Sequence, residues 1–256
     1  MNFVEYYNPQ EIIKITEHRP NPLPDLPWVS TQRWEDVLFL HWPVSPDLLT
    51  PHLPQSLQLD LYDGTAWIGM VFFQVKGMRP RLLPAVPFIS SYLQLNVRTY
   101  VTYKGRSGVY FFRLTVDSIL ACFLAKTWYS LPFMMAEIKM DSQGDDIHMV
   151  SKRKIGKFEE RMSCSYTPEA SVFHTQMNTL DHWLFERYCS WNMRQGTLLR
   201  IDIHHTKWNL QKAAAVIRSN TVTDFLTAKI SQNNPIVHYS SAKQALFWPP
   251  VKERRF

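Results

Sequence analysis

One stretch of the chain concentrates polar chemistry at a regular interval. In SYLQLNVRTYV, strict alternation sets Gln94, Asn96, Arg98 and Tyr100 on one face of a strand and Leu95, Val97, Thr99 and Val101 on the other. Arginine presents a rigid, permanently charged donor fork, and amide and phenol neighbours on the same face add neutral hydrogen bonds. Facing a cavity, the row would hold a small carboxylate; facing outward, it is only the solvated side of a sheet. Spacing alone leaves both open.

The remaining reactive residues lack a working arrangement. His204 and His205 fall on opposite faces of one strand and cannot readily share a metal, and His41, beside Trp42 and Pro43, reads as a core histidine. No H-x-H, H-E-x-x-H or spaced carboxylate cluster is present, so no metal is expected. Cys122, Cys164 and Cys189 are too widely spaced for a zinc knuckle or a disulfide framework, which points to a reducing, cytoplasmic setting. Without G-x-S-x-G or a glycine-rich phosphate loop, neither a serine nucleophile nor a nucleotide cofactor is expected. Glu186-Arg187-Tyr188 closes a helix and reads as structural ion pairing.

The elements that position these residues are mostly strands. Asp63-Gly64 predicts a hairpin within LQLDLYDGTAWIGMVFFQV, and KGRSG predicts a second between SYLQLNVRTYV and VYFFRLTVD. Asp117 would cap a helix over SILACFLAKTWYSL, whose Ile119, Leu120, Phe123, Leu124 and Thr127 recur at helical spacing to pack on the sheet. Meander strands follow through FMMAEIKM, IHMVSKRK and FEERMSCSYT, then a helix over TLDHWLFERYC and further strands, with a short helix joining the last two.

Five prolines in residues 1–27 predict an N-terminal arm with little to bury, ahead of a single domain over 28–256. Hydrophobic residues make up 45% and aromatics 14%, enough to fill a core and still wall a cavity. Trp34, Trp42, Trp67, Trp128 and Trp183, with Phe72, Phe73, Phe111, Phe112 and Phe133, supply most of that surface. The net charge of +6 raises nucleic acid as a partner, but the basic groups at Arg79/Arg81, Lys152–Lys157 and Lys252–Arg255 read as solvated turns and a terminus, leaving it a distant alternative. No run reaches the ~18 apolar residues of a membrane span.

The co-linear motifs LFLHWPV, LDLYDGTAWIGMVFF, LQLNVRTYV with GVYFFRL, a helix ending in LPF, and WLFERY resemble the YqjF-like bacterial family between about Trp28 and Pro249. The resemblance implies an acetoacetate-decarboxylase-like fold, α+β and mostly antiparallel: a β-barrel or sandwich around a central cavity, with two or three helices outside. In acetoacetate decarboxylase a lysine after a Gly-x-Pro step forms a Schiff base; the matching place here, after Leu131-Pro132, reads Phe133-Met134-Met135. Only Lys126 upstream could substitute. Relatives commonly carry glutamate where this chain has Gln94, and an amide has no proton to exchange near neutral pH.

Together these point to a small, anionic organic ligand bound in an aromatic cavity by Arg98, Asn96, Tyr100 and Gln94, without Schiff-base chemistry and without a cofactor. A lyase-like or other enzyme acting on a small organic acid in the same cavity is the alternative. A homo-oligomer is compatible with either reading.

Overall fold

The computed structural model describes residues 5, 7–85, 90–128, 131–226, 230 and 234–253, with 124–128 described by backbone alone. Its strands in chain order are β1 (Ser30–Val44), β2 (Gln58–Leu59), β3 (Ala66–Pro80), β4 (Tyr92–Tyr103), β5 (Arg106–Val116), β6 (Phe133–Met135) and β7 (Glu137–Gln143). They continue as β8 (Asp146–Ile155), β9 (Phe158–Phe173), β10 (Cys189–Arg194), β11 (Thr197–His204), β12 (Leu210–Asn220), β13 (Ile236–Phe247) and β14 (Val251–Lys252). Short helices are α1 (Pro9–Ile12), α2 (Pro46–Leu49), α3 (Ile119–Trp128) and α4 (Leu180–Phe185).

Seven strands close on themselves. The order β11-β10-β5-β4-β3-β1-β13 returns to its start because Ile203 and His204 of β11 pair with Phe247 and Leu246 of β13. Every pairing around the ring is antiparallel except β10 with β5. From β13 the sheet continues through β12, β9, β8 and β7, outside the barrel.

The barrel wall is therefore apolar on both faces. Leu38, Leu40 and Trp42 of β1, Ile68, Met70 and Phe72 of β3, and Leu95 and Val97 of β4 pack outward with Met149, Met162, Cys164 and Tyr166 of the extension. Val37, Phe39, Val71, Phe73 and Tyr100 turn inward to a second cluster that includes Leu184, Phe185 and Trp208. Runs such as VLFLHW and AWIGMVFF are continuous because no side of these strands meets water.

The hairpin at Lys104-Gly105 forms as expected, both residues in the left-handed region that a two-residue turn requires. The Asp63-Gly64 turn also forms, with Tyr62 and Thr65 bonded across it, but the short strand before it, β2, pairs with β4 rather than β3. The expected Asp117 cap is corrected: its carboxylate accepts from the Leu93 amide, and Ser118 Oγ accepts the helical amide of Ala121 instead. Among the described side chains of α3, Ala121 and Cys122 are buried while Ile119 and Phe123 are exposed, so this part of the anticipated packing face is turned; the side chains of Leu124 and Thr127 lie outside those described. Part of the connection between β12 and β13, where a short helix was expected, lies outside the described residues.

The arm is not peripheral. Ile12 is fully buried against Trp28, Leu246 and Trp248, and Glu5 pairs at 2.8 Å with the fully buried Lys243. The expectation that the arm has little to bury fails because α1 places Ile12 over the β13 end of the barrel.

Candidate functional site

All seven barrel strands contribute to one interior cavity of about 140 Å³. Three bulges decide what faces it. Against β3, β1 carries one extra residue between Glu35 and Leu38, where Asp36 has φ 51°; the inward side chains are Trp34 before it and Val37 and Phe39 after it. On β3 the extra residue falls at Gly77, φ 59°, and the inward set changes from Val71 and Phe73 to Met78 and Pro80. On β5, Phe112 is passed over between the partners of Val97 and Arg98, and the inward set changes from Val109 and Phe111 to Leu114. Each bulge exchanges the two faces of its strand and bends it, which closes the wall.

Strand β4 keeps its alternation. Tyr92, Gln94, Asn96 and Arg98 all line the cavity. Gln94 Nε2 donates to Asn96 Oδ1 at 2.7 Å, which leaves the Asn96 amide hydrogens for another acceptor. Arg98 has no ion-pair partner among the described residues, and its Nε is occluded from solvent without a hydrogen-bond partner there. Tyr100 points the same way but lies beyond the cavity wall: it is fully buried, its ring 4.6 Å from Trp183 and 5.1 Å from the Arg187 guanidinium. Burial raises its hydroxyl pKa, with Arg98 and Arg187 pulling the other way.

Arg187 and His205 are among the cavity residues that the sequence does not single out as site residues. Arg187 does form the structural pair expected of it, with Asp60, and also lines the cavity, stacked 4.4 Å over Trp183 with Nε donating to Trp183 O at 2.7 Å. His205 lines the cavity too; its Nδ1 donates to Thr206 O at 2.8 Å, and burial holds its pKa well below the ordinary value. His204 turns away toward the arm, where Nε2 donates to Ile12 O at 2.8 Å. The opposite orientations expected of this pair are observed, with both rings buried. His41 is fully buried behind the wall, stacked on Phe39 at 6.2 Å and kept neutral by burial and by Arg98.

Much of the wall is aromatic: Trp34, Phe39, Phe73, Phe111, Phe185 and Trp208 line the cavity. Phe133, the residue that follows Leu131-Pro132, also lines the cavity. The side chain of Lys126 lies outside the described residues. Cys189 is on the wall, but burial pushes its thiol pKa up to about 12, so it is not a thiolate nucleophile. No group of three or more His, Cys, Asp or Glu side chains is placed to hold a metal among the described residues, and no helix among them is long and apolar enough to cross a membrane.

A closed barrel with external helices, an antiparallel extension and an interior cavity defines the acetoacetate-decarboxylase-like class of folds. An acetoacetate-decarboxylase-like enzyme from Sphingomonas wittichii RW1 superposes with a TM-score of 0.62 at 12% identity, over 90% of this chain and 95% of that one. Acetoacetate decarboxylase from Legionella pneumophila gives 0.59 at 12% identity, over 99% and 98%. The enduracididine biosynthesis enzyme MppR, complexed with pyruvate, gives 0.60 at 11% identity over 98% of each. These identities show the fold alone. Within that fold the chain belongs to the DUF2071 family of uncharacterized conserved proteins, whose pattern matches residues 31–244. It is 43% identical over 227 residues to YqjF of Bacillus subtilis, covering 89% of this chain and 93% of that one.

Proposed function

We propose that the barrel binds a small organic anion, its carboxylate held by Arg98 with the Asn96 amide and its remainder enclosed by the aromatic walls. Arg98 carries this reading. Its Nε is shut off from solvent without a partner among the described residues, and no Asp or Glu lines the cavity to neutralise it. Arg98 is half-buried, and a guanidinium nitrogen cut off from water without an acceptor is destabilising, so the site is poised for a counter-charge. Gln94 orients Asn96, and Tyr100 supports the guanidinium from behind. That a protein of the same fold is complexed with pyruvate supports an organic acid as the kind of ligand. Three free, buried cysteines fit a cytoplasmic protein.

Calorimetry of small organic acids against wild type, Arg98→Lys and Arg98→Met tests the proposal. Lys keeps the charge without the fork; Met keeps much of the volume without the charge. Affinity falls in both, and more in Met, on the order of 2 kcal/mol or about thirty-fold. Equal binding by all three proteins overturns the proposal.

A further inference from the structure

The cavity holds two guanidinium groups, yet their charges are not equally available. Arg187 is committed: Nη1 pairs with Asp60, Nε donates to Trp183 O at 2.7 Å, and its plane lies 4.4 Å over the Trp183 ring. Only its Nη2 lacks a hydrogen-bond partner among the described residues. Arg98 has no carboxylate partner among them. Both cations converge on one end of the cavity, their guanidinium carbons 6.0 Å (Arg98) and 5.1 Å (Arg187) from the Tyr100 ring centre.

The other ionisable groups on the wall contribute no charge near neutral pH. His205 is held neutral by burial, and the Cys189 thiol stays protonated. With Arg187 neutralised by Asp60, the wall presents one unbalanced positive charge at its polar end and aromatic rings elsewhere. A first carboxylate meets Arg98. A second would lose its hydration against Phe and Trp side chains with no cation to receive it.

Size narrows the remainder. A cavity of roughly 150 Å³ lined by apolar side chains takes up one benzene ring, and this one measures about 140 Å³.

Resting on the proposed anion binding, we infer that the ligand is a monocarboxylate with a single apolar body about the size of a benzene ring, and that the Asp60–Arg187 pair is the specificity determinant that excludes dicarboxylates. Arg187 Nη2 remains available to an uncharged oxygen of the ligand, so a neutral acceptor near the carboxylate is accommodated where a second charge is not.

Titration calorimetry with four probes tests this: 3-nitrobenzoate, isophthalate, acetate and 3-nitrobenzyl alcohol. The first two are nearly identical in shape and differ by one charge. The acetate arm removes the apolar body, and the alcohol removes the carboxylate. Wild type binds 3-nitrobenzoate at least tenfold more tightly than the other three. Asp60→Asn releases the charge of Arg187, so isophthalate affinity rises about tenfold relative to 3-nitrobenzoate; melting curves of the free variant confirm that it folds. Should Asp60→Asn be unfolded, Asp60→Ser, which also removes the carboxylate facing Arg187, takes its place with the same expected rise, and an unchanged preference in it overturns the role of the pair.

Isophthalate or acetate binding wild type within threefold of 3-nitrobenzoate overturns the inference and leaves anion binding standing. An unchanged isophthalate preference in folded Asp60→Asn also overturns the role of the pair. The alcohol binding as tightly as 3-nitrobenzoate, in wild type and Arg98→Met alike, overturns the anion reading itself. Binding of none of the four overturns the assigned ligand class.

Discussion

The Tyr239 hydroxyl donates to Asp36 Oδ1 at 2.7 Å, tying β13 to the bulge in β1 that turns Val37 and Phe39 into the cavity. Tyr166 adds a second tie from β9, donating to the Asp36 carbonyl at 3.3 Å. One barrel strand and one strand of the extension thus hold, from the outer face of the wall, a backbone distortion whose effect is felt inside it.

Asp36 sits at φ 51°, where a β-branched side chain is strained and asparagine is tolerated. Asp36→Asn keeps both the conformation and an acceptor for Tyr239, and it should cost less than about 1 kcal/mol. Asp36→Val loses the acceptor and forces the strain, for roughly 2–4 kcal/mol in urea denaturation. Equal stability of the two variants would show that the bulge does not depend on this residue.

These bulges mark where the sequence stops being legible. Alternation places Gln94, Asn96 and Arg98 on one face because β4 has no residue of its own passed over along its length. The same rule fails on β1, β3 and β5, where one extra residue exchanges the faces at Asp36, Gly77 and Phe112. Gly77 is the kind of residue that signals such a break; Asp36 signals it weakly and Phe112 not at all. Continuous apolar runs announce strands buried on both sides but give no closure, since the contact that completes the barrel joins Ile203 to Phe247 across 44 residues of chain. Arg187 was legible as an ion-paired residue and not as part of the site, because its partner Asp60 lies 127 positions away.

Gly108 is fixed by contact rather than by its backbone angles. A Cβ there would stand 2.7 Å from both the carbonyl oxygen and the sulfur of Cys189 and 2.8 Å from Trp191 Nε1, at the place where β5 meets β10. At Gly69 the nearest atom is His41 Cδ2 at 3.0 Å, on a side chain with some freedom to give. Gly108→Ala should therefore destabilise more than Gly69→Ala, by about 3 kcal/mol against 1. Chemical denaturation of both variants checks the order, and the reverse order would locate the tighter packing at His41.

The arm contributes a measurable share of stability. Ile12 is fully buried, so Ile12→Ala should cost about 2–5 kcal/mol, and removing residues 1–13 should cost at least as much because Lys243 then loses Glu5 inside the barrel wall. Thermal melts that match wild type for the truncated protein would show that the contacts of the arm are dispensable.

With no lysine after Pro132 and Phe133 on the cavity wall, no Schiff base should form at that position. Incubation with acetoacetate and borohydride, followed by intact-mass analysis, should leave the mass unchanged. A stoichiometric adduct mapped to Lys126 would place an amine in the cavity and restore the decarboxylase chemistry.

Acid should loosen the arm first. Neutral His204 is satisfied on both ring nitrogens: Nε2 donates to Ile12 O at 2.8 Å, and Nδ1 accepts from Arg19 at 3.0 Å. A proton on Nδ1 would face the N–H of Arg19, and burial, the larger cause, lowers the His204 pKa from 6.5 to about 4. Burial also lowers His18, beside it, and holds His205 well down. Because the folded pKa lies below the unfolded one, the unfolded chain binds protons that the folded chain refuses. The contribution of His204 is therefore full above pH ~6.5, falls as the pH drops through that value, and levels off near the folded pKa of about 4. The loss approaches about 1.4 kcal/mol per pH unit for each histidine that stays neutral in the fold. His204→Gln retains a donor toward Ile12 but cannot titrate, so its stability between pH 6.5 and 4 should decline less steeply than wild type by about one proton. Urea denaturation across that range measures both slopes, and identical slopes would show that His204 is already protonated in the folded protein.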